Sequence, residues 1–424
     1  MNSPAQSAVL RKISFRLLPF LFLLYVVNYL DRVNVSFAAL QMQSALDFSD
    51  SVFGFGAGIF FVGYLLFQVP SNLALERVGA RRWLAVLTIL WGAISSCTMF
   101  VRTPAGFYAF RFLLGLAEAG FFPGVIFYLT YWFPPSVRAR SVSRFLIAMP
   151  LSGVIGAPLS GAILSLHGSY GLAGWQWLFL LEGAPAIFLG CIVPFVLTDR
   201  PEQAAWLTND DRATLGFLLE REGNRSAPTR HVSISQIVFR AETWLLCGAY
   251  FALTWGSYGM SLWLPLVIKG FSGLGNWQVG VLTAVPYLAA AIAMGFVAAS
   301  SDRTRKSHAH FAGSVFAASA ALALSTQSHQ VFLSIAFLSV ALAGIYSAFG
   351  PFWAMPGNSL SGPAAAAAIA FINSLGNLGG FFGPYVSGAV KQFTGAFTVG
   401  TLILAVVLFL GGLLGLLALR TRRA

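Results

Sequence analysis

Charged side chains are scarce in this chain of 424 residues: Asp, Glu, Lys and Arg together make up only 9% of it. A soluble domain typically carries about 25% charged residues. Hydrophobic residues instead make up 57% of the chain, and its mean hydropathy is +0.75. This composition excludes soluble globular, disordered and fibrous proteins, and it predicts an integral membrane protein with many spans.

Cysteines and the short motifs of catalysis are sparse as well. The three cysteines, Cys97, Cys191 and Cys247, lie in apolar runs and form no CxxC or Cys/His cluster. Neither a disulfide framework nor a metal site is therefore expected. The sequence contains no Walker phosphate-binding loop, no HExxH motif and no Ser–His or Cys–His arrangement. We predict a protein that is not an enzyme, needs no cofactor and does not draw its energy from ATP.

Twelve apolar stretches, each long enough for a membrane-spanning helix, follow one another along the chain. They fall at about 17–40, 52–73, 83–101, 106–132, 141–166, 176–197, 244–268, 277–299, 309–327, 331–353, 364–390 and 397–419. The pattern predicts an all-α membrane protein with an N-terminal six-helix half at 1–197, a cytoplasmic linker at 198–243 and a C-terminal six-helix half at 244–424. Within the linker, Asn209 followed by two acids predicts a helix start, and Gly223 predicts its end.

Positive charge is distributed unevenly between the loops. The formal net charge of +12 could indicate binding to nucleic acid. However, most of the 26 Lys and Arg residues precede the first span or follow spans 2, 4, 6, 8 and 12. The positive-inside rule then places both termini in the cytoplasm. We predict a multi-pass protein of the inner (plasma) membrane whose charge sets its orientation, with no need for a nucleic acid partner.

The two predicted halves contain an internal repeat. A shift of 227 residues places the Gly153 region on the Gly380 region, with matching small residues on both sides. A shift of 226 places Glu76-Arg77 on Asp302-Arg303. Two independent regions with nearly the same offset indicate duplicated six-helix halves in parallel orientation. This layout is typical of transporters that bind their substrate between the halves.

The loop after span 2 contains an acid, two basic residues and a glycine in a characteristic order, with Glu76, Arg77, Gly79 and Arg81 at the key positions. It resembles the cytoplasmic loop signature of the major facilitator superfamily. The glycine allows a tight turn, and the charged groups can bridge neighbouring helix ends in one conformational state. The second copy keeps Asp302 and Arg303 but has Arg305 where the glycine would be. We predict that these residues form conformational gating loops.

The most informative ionisable residues inside predicted spans are Asp31 and Arg32 in span 1, and Arg111 and Glu118 in span 4. Because a charge in lipid is costly, such residues normally face a cavity and pair with one another. Arg111 and Glu118 are seven residues apart and share a helix face. Asp31 and Arg32 point about 100° apart. We therefore expect Asp31 to pair with Arg111, and Arg32 to lie near Glu118.

The segments around these charges resemble one family within the superfamily. Asn28-Tyr-Leu-Asp31-Arg32-Val-Asn34, Arg111-Phe-Leu-Leu-Gly115-Leu-Ala-Glu118-Ala-Gly120 and Tyr131-Trp-Phe-Pro134 are similar to the anion:cation symporter family, above all to its bacterial tartrate and sugar-acid permeases. The resemblance implies import of a small organic anion together with protons. It also implies that Arg32 binds the substrate carboxylate, that Asp31 and Glu118 are protonation sites with Arg111 as charge partner, and that Tyr29 and Tyr64 lie near the substrate.

The C-terminal half offers uncharged polar groups for the same substrate. We predict substrate contacts from Asn373 and Asn377, which share a face of span 11, and from Trp353 in span 10. Tyr346 and Ser347 in span 10, and Trp255 and Tyr258 in span 7, are alternatives, and for each of these residues core packing remains an equal interpretation. The expected partners are thus an organic anion, protons and the lipid bilayer, with a monomer as the expected state.

A second function remains open at this point. The segment from Gly153 to Gly161 partly resembles the signature of drug:proton antiporters, which export their substrates. The buried arginines argue against a pocket for a lipophilic cation. The interpretation that we favour from the sequence is a proton-coupled importer of a tartrate-like dicarboxylate or sugar acid that works by alternating access.

Overall fold

The computed structural model describes residues 4–134, 137, 145–223, 240–328, 330–357 and 362–421. All regular secondary structure in these ranges is helical. The α-helices are α1 (Pro4–Ala45), α2 (Asp50–Val78), α3 (Ala80–Cys97), α4 (Pro104–Glu118), α5 (Phe121–Thr130), α6 (Ala148–Leu164), α7 (Gly174–Val196), α8 (Asn209–Gly223), α9 (Ala241–Ser272), α10 (Asn276–Thr304), α11 (Ser307–Ser325), α12 (Val331–Gly357), α13 (Gly362–Asn377), α14 (Gly379–Thr394) and α15 (Phe397–Thr421). Short 3-10 turns lie at Thr98–Phe100, Ser169–Gly171 and Pro201–Gln203.

Local signals in the sequence explain where several helices begin and end. The Ser49 hydroxyl accepts a hydrogen bond from the Val52 amide and caps α2, and Thr103 caps α4 in the same way. Gly273 and Gly395 end α9 and α14 in the left-handed conformation. Within the described ranges, nine helical segments are long and apolar enough to cross a membrane.

Two predicted spans are interrupted in the structure. The stretch predicted at 106–132 consists of α4 and α5, which are separated by Ala119 and Gly120. The stretch predicted at 364–390 consists of α13 and α14, which are separated by Leu378. The first helix also begins earlier than expected, at Pro4 rather than near residue 17. Glu118 is the last residue of α4 and therefore lies at one of these interruptions.

Glycines bring the two halves into close contact. A Cβ atom added to Gly54 or Gly58 of α2 would lie 2.6 Å or 2.7 Å from a backbone oxygen of α14, that of Pro384 or Phe381 respectively. At a second crossing, a Cβ atom on Gly161 of α6 would lie 2.7 Å from the Asn276 carbonyl oxygen of α10. Only small residues permit such helix crossings.

Polar contacts join the halves at the end of the bundle opposite the chain termini. The Lys391 ammonium lies 2.7 Å from the Asp50 carboxylate and 4.5 Å from the centre of the Phe397 ring. The Ser51 amide donates to the Gln392 side chain at 3.2 Å. Together with the glycine crossings, these contacts close this end of the bundle, which we call the distal end.

The helix predicted between Asn209 and Gly223 is confirmed as α8. Its segment is docked on the N-terminal half, because the Lys12 ammonium binds the Asp211 carboxylate at 2.7 Å and holds its pKa below the usual range. The ring of Trp206 stacks on that of Trp132, with centroids 5.5 Å apart. The first part of the predicted linker is thus a folded element, and residues 224–239 lie outside the described residues.

The two signature loops share a backbone conformation. Gly79 has φ 94°, and its repeat counterpart Arg305 also has a positive φ, 55°. Next to Gly79, the Asp199 carboxylate accepts a hydrogen bond from the Arg81 amide at 2.8 Å, which caps α3. The tight turn expected at Gly79 is confirmed. The gating role of Glu76, Arg77, Asp302 and Arg303 stays a prediction.

Candidate functional site

An ion pair between α1 and the end of α4 lies in the interior of the N-terminal half. The Arg32 guanidinium donates to Glu118 Oε2 from two nitrogens, NH2 at 2.8 Å and Nε at 3.1 Å. The Glu118 side chain is fully buried, and that of Arg32 is 9% exposed. The expected proximity of Arg32 and Glu118 is therefore confirmed. Glu118 Oε1 has no hydrogen-bond partner among the described residues.

Aromatic rings surround the Arg32 guanidinium. Its central carbon lies 5.5 Å, 5.1 Å and 5.2 Å from the ring centres of Tyr29, Phe60 and Tyr64. These distances are in the range of cation–π attraction. The structure thus places Tyr29 and Tyr64 next to Arg32, and their expected contact with the substrate stays a prediction.

Tyr258 of α9 brings the C-terminal half to the same arginine. Arg32 NH1 donates to the Tyr258 hydroxyl at 3.3 Å, and the Tyr29 hydroxyl lies 3.4 Å from it. Tyr258 is the repeat counterpart of Asp31 under the shift of 227 residues. The cluster around Arg32 therefore includes residues of both halves. Tyr258 was one of the alternatives for substrate contact, and that role stays a prediction.

The expected pairing of Asp31 with Arg111 is wrong. Asp31 Oδ1 accepts hydrogen bonds from the Ser95 hydroxyl at 2.7 Å and the Asn34 amide at 3.4 Å. No ion pair between Asp31 and Arg111 occurs among the described residues. Asn34 of α1 and Ser95 of α3 bind Asp31 in place of Arg111. Because both are neutral, matching of opposite charges could not predict them.

Arg111 is buried, and part of its guanidinium is unoccupied. Its central carbon lies 5.0 Å from the Phe60 ring centre, so the same ring contacts both arginines. The Nε and NH1 atoms of Arg111 have no hydrogen-bond partner within the described part of the chain. Buried donors without partners are costly. The described residues thus leave two buried donors of Arg111 without an acceptor.

A small cavity lies between the two arginines and the C-terminal half. It is lined by Arg32, Arg111, Phe61, Tyr258, Ser261 and Pro384, among others, and its volume is about 20 Å³. That volume has room for about one water molecule. Anything larger than a water molecule fits here only if the helices of the two halves move apart.

The other residues predicted from the C-terminal half are not among those that line this cavity. Trp353 packs on Tyr250, with ring centres 4.8 Å apart. Asn377 is 9% exposed, and Asn373 lies one turn earlier on α13. Substrate contacts from Trp353, Asn373 and Asn377 stay predictions for a more open conformation.

Glu182 of α7 is a buried acid that was not among the residues predicted from the sequence. It is 3% exposed, and its Oε1 accepts a hydrogen bond from the Ser160 hydroxyl at 2.6 Å. The same criterion that selected the other four residues, an ionisable group within a predicted span, applies to this position.

The fold is that of a helical membrane protein whose two halves meet at a buried cluster of charged side chains. The model of the major facilitator superfamily matches residues 21–384, and the chain belongs to this superfamily. Its members are transporters and not enzymes.

Curated relatives extend this comparison. The chain is 48% identical to a protein of Agrobacterium vitis named "Putative tartrate transporter", over 99% of this chain and 97% of that protein. It is also 37% identical to a quinolone resistance transporter of Acinetobacter baumannii, over 95% of this chain and 93% of that protein. A crystal structure of a bacterial homologue of the human lysosomal transporter Spinster has a similar fold, with a TM-score of 0.78, 16% identity and coverage of 99% and 98% of the two chains.

Proposed function

We propose that the protein imports a small organic anion, a tartrate-like dicarboxylate or a sugar acid, in symport with protons. The observation that carries this proposal is the pair of buried arginines, Arg32 and Arg111, beside a cavity at the junction of the halves. Two guanidinium nitrogens of Arg111 have no hydrogen-bond partner among the described residues. A guanidinium offers a carboxylate two parallel charge-assisted hydrogen bonds. The similarity to a protein named as a tartrate transporter supports this class of substrate.

The ion pair suggests how the two fluxes are coupled. Glu118 occupies two donors of Arg32 in this structure, and a substrate carboxylate would compete for the same donors. A carboxylate that loses its arginine in a buried site favours its protonated form, because the charge is no longer compensated. Substrate binding to Arg32 and protonation of Glu118 would therefore reinforce each other.

The closed distal end fits one state of an alternating-access cycle. In our proposed topology, α4 with α5 and α13 with α14 each form one interrupted span, which gives twelve spans and places both termini in the cytoplasm. The distal end then faces outward, and the contacts between Asp50 and Lys391 close the outer entrance. The protein would act as a monomer in the inner membrane.

Uptake of labelled tartrate, galactonate and glucarate by cells or proteoliposomes tests the proposal. An imposed inward proton gradient should drive accumulation of at least one of these anions, and an uncoupler should abolish it. Failure of all three to accumulate, with the protein correctly inserted, would contradict the proposed substrate class.

Export of a drug in exchange for protons is the second candidate. The 37% identity to a protein named "Quinolone resistance transporter" favours it. The direction of the proton gradient separates the two functions. An importer accumulates substrate when the outside of the vesicle is more acidic, whereas an antiporter accumulates it when the inside is more acidic.

A further inference from the structure

Glu182 is a buried acid that the proposed site does not use. Its Oε1 accepts from Ser160, and its Oε2 has no hydrogen-bond partner among the residues described. The ion pairs in these ranges do not include Glu182. It therefore differs from Glu118, whose charge is compensated by Arg32.

The helices packed around Glu182 offer no cation to compensate its charge. The described residues of α6 contain no ionisable side chain. The ionisable residues of the other two packed helices are Arg81, Arg82 and the exposed Cys97 on α3, and Arg11, Lys12, Arg16, Tyr25, Tyr29, Asp31 and Arg32 on α1. Most of these basic residues lie near the starts of their helices. Arg32 is the exception, and it forms its ion pair with Glu118. The group from this set that interacts electrostatically with Glu182 is another acid, Asp31.

Without a cation, a buried carboxyl group is most stable with a proton bound. The separation of 2.6 Å between Glu182 Oε1 and Ser160 Oγ is typical of a hydrogen bond between two oxygens. A proton on Glu182 also removes repulsion from Asp31. The surroundings of Glu182 thus favour a bound proton in this conformation.

The partner of Glu182 lies beside a contact between the halves. Ser160 precedes Gly161, whose Cβ position is 2.7 Å from the Asn276 carbonyl oxygen of α10. In the same crossing, a Cβ atom on Gly280 would lie 2.4 Å from the Ala157 carbonyl oxygen. Separation of α6 from α10 at the distal end would therefore change the surroundings of the Ser160–Glu182 pair.

We propose that Glu182 is a second proton-binding site, separate from the Arg32–Glu118 pair, whose access to the distal solution opens when α6 and α10 separate. The proton binds a carboxylate oxygen of Glu182 and returns to the distal solution, and no other bond changes. A role of this proton in a transport cycle rests on the proposed function, with its alternating access. Proton binding by Glu182 itself does not depend on that proposal.

Infrared spectroscopy of the purified, reconstituted protein tests the first part. With glutamate labelled with carbon-13, wild type should show the carbonyl band of a protonated glutamic acid at neutral pH, and Glu182→Gln should lose it. Exposed Glu202 provides the matched control, since Glu202→Gln should keep the band. Ser160→Ala should keep the band at a shifted frequency, which tests the assignment even if Glu182→Gln folds poorly. A band that is unchanged in both Glu182→Gln and Ser160→Ala would overturn the proposal.

Substitutions that hold the crossing apart test the second part. Gly280→Val places side-chain atoms against α6. At Gly295 on the same helix, an added Cβ atom meets no other atom within 4 Å, so Gly295→Val is the matched control. When the distal solution of Gly280→Val is made alkaline, Glu182 should lose its proton, and its carbonyl band should disappear within the time of the measurement. Gly295→Val should retain it as wild type does. Equal rates of loss in both variants would overturn the gated access.

These outcomes are separate from the fate of the proposed function. The infrared band needs no transported substrate, so failure of tartrate uptake leaves the test of Glu182 intact. Conversely, tartrate accumulation in wild type with no band assigned to Glu182 would keep the proposed function and overturn this proton site.

Discussion

Replacement of Arg32 by lysine removes the planar fork and keeps the positive charge. In the structure, three nitrogens of Arg32 make hydrogen bonds, two with Glu118 and one with Tyr258 at 3.3 Å. An ammonium group cannot reproduce the two parallel bonds that a guanidinium forms with a carboxylate. Each lost charge-assisted hydrogen bond is worth about 1.5–3 kcal/mol.

The loss of one to two such bonds with a substrate carboxylate predicts a dissociation constant raised about 10-fold to 10,000-fold in Arg32→Lys. Binding of labelled tartrate to purified protein measures this change directly, and uptake should fall to background. Arg102→Lys, at an exposed position, is the matched control and should bind and transport as wild type does. Near wild-type affinity in Arg32→Lys, with normal expression, would refute the assignment of Arg32 to the substrate carboxylate.

Further predictions concern the coupling ion, the distal ion pair and the second signature loop. Uptake should rise when the outside is acidified and be indifferent to sodium, because two carboxyl groups beside two arginines accept protons but form a poor cation site; a strict sodium requirement at constant pH would contradict this. Lys391→Met removes an ion pair worth about 1 kcal/mol or less. Ser36 lines the small cavity, so labelling of a Ser36→Cys reporter from the distal side should rise up to about 5-fold. Lys269→Met, whose ammonium binds Asn276 in its own half, should leave labelling unchanged, and equal labelling in both variants would refute the gate. Arg305→Gly should raise the free energy of unfolding by about 1 kcal/mol, because glycine adopts the positive φ without strain. Thr304→Gly within α10 should lower it. No gain in Arg305→Gly would contradict the strain at that turn.

Local signals in the sequence were sufficient for much of the helical pattern. The acids after Asn209 and the glycine at 223 act within one turn of the chain, and α8 occupies the predicted residues. The turn at Gly79 follows from the same kind of local constraint, the conformational freedom of glycine. The interruptions of α4/α5 and α13/α14 were not predicted, since the apolar composition continues through Gly120 and Leu378.

Contacts between distant helices were only partly predictable. The Arg32–Glu118 pair follows from opposite charges that must be compensated in an apolar interior. The partner of Asp31 is Ser95, a neutral residue with many equivalents in the chain, so charge matching pointed to Arg111 instead. The docking of the segment around Trp206 on Trp132 depends on tertiary packing, which amphipathic periodicity does not specify.

Proton coupling through Glu118 is the central claim, and paired transport measurements on Glu118→Gln in proteoliposomes test it most directly. Glutamine imitates the protonated acid permanently, so substrate can still bind and cross while proton release is lost. We predict that Glu118→Gln retains counterflow exchange of labelled tartrate but loses accumulation driven by a proton gradient. Accumulation against the substrate gradient in Glu118→Gln would contradict the account and leave the Arg32–Glu118 pair with a structural role.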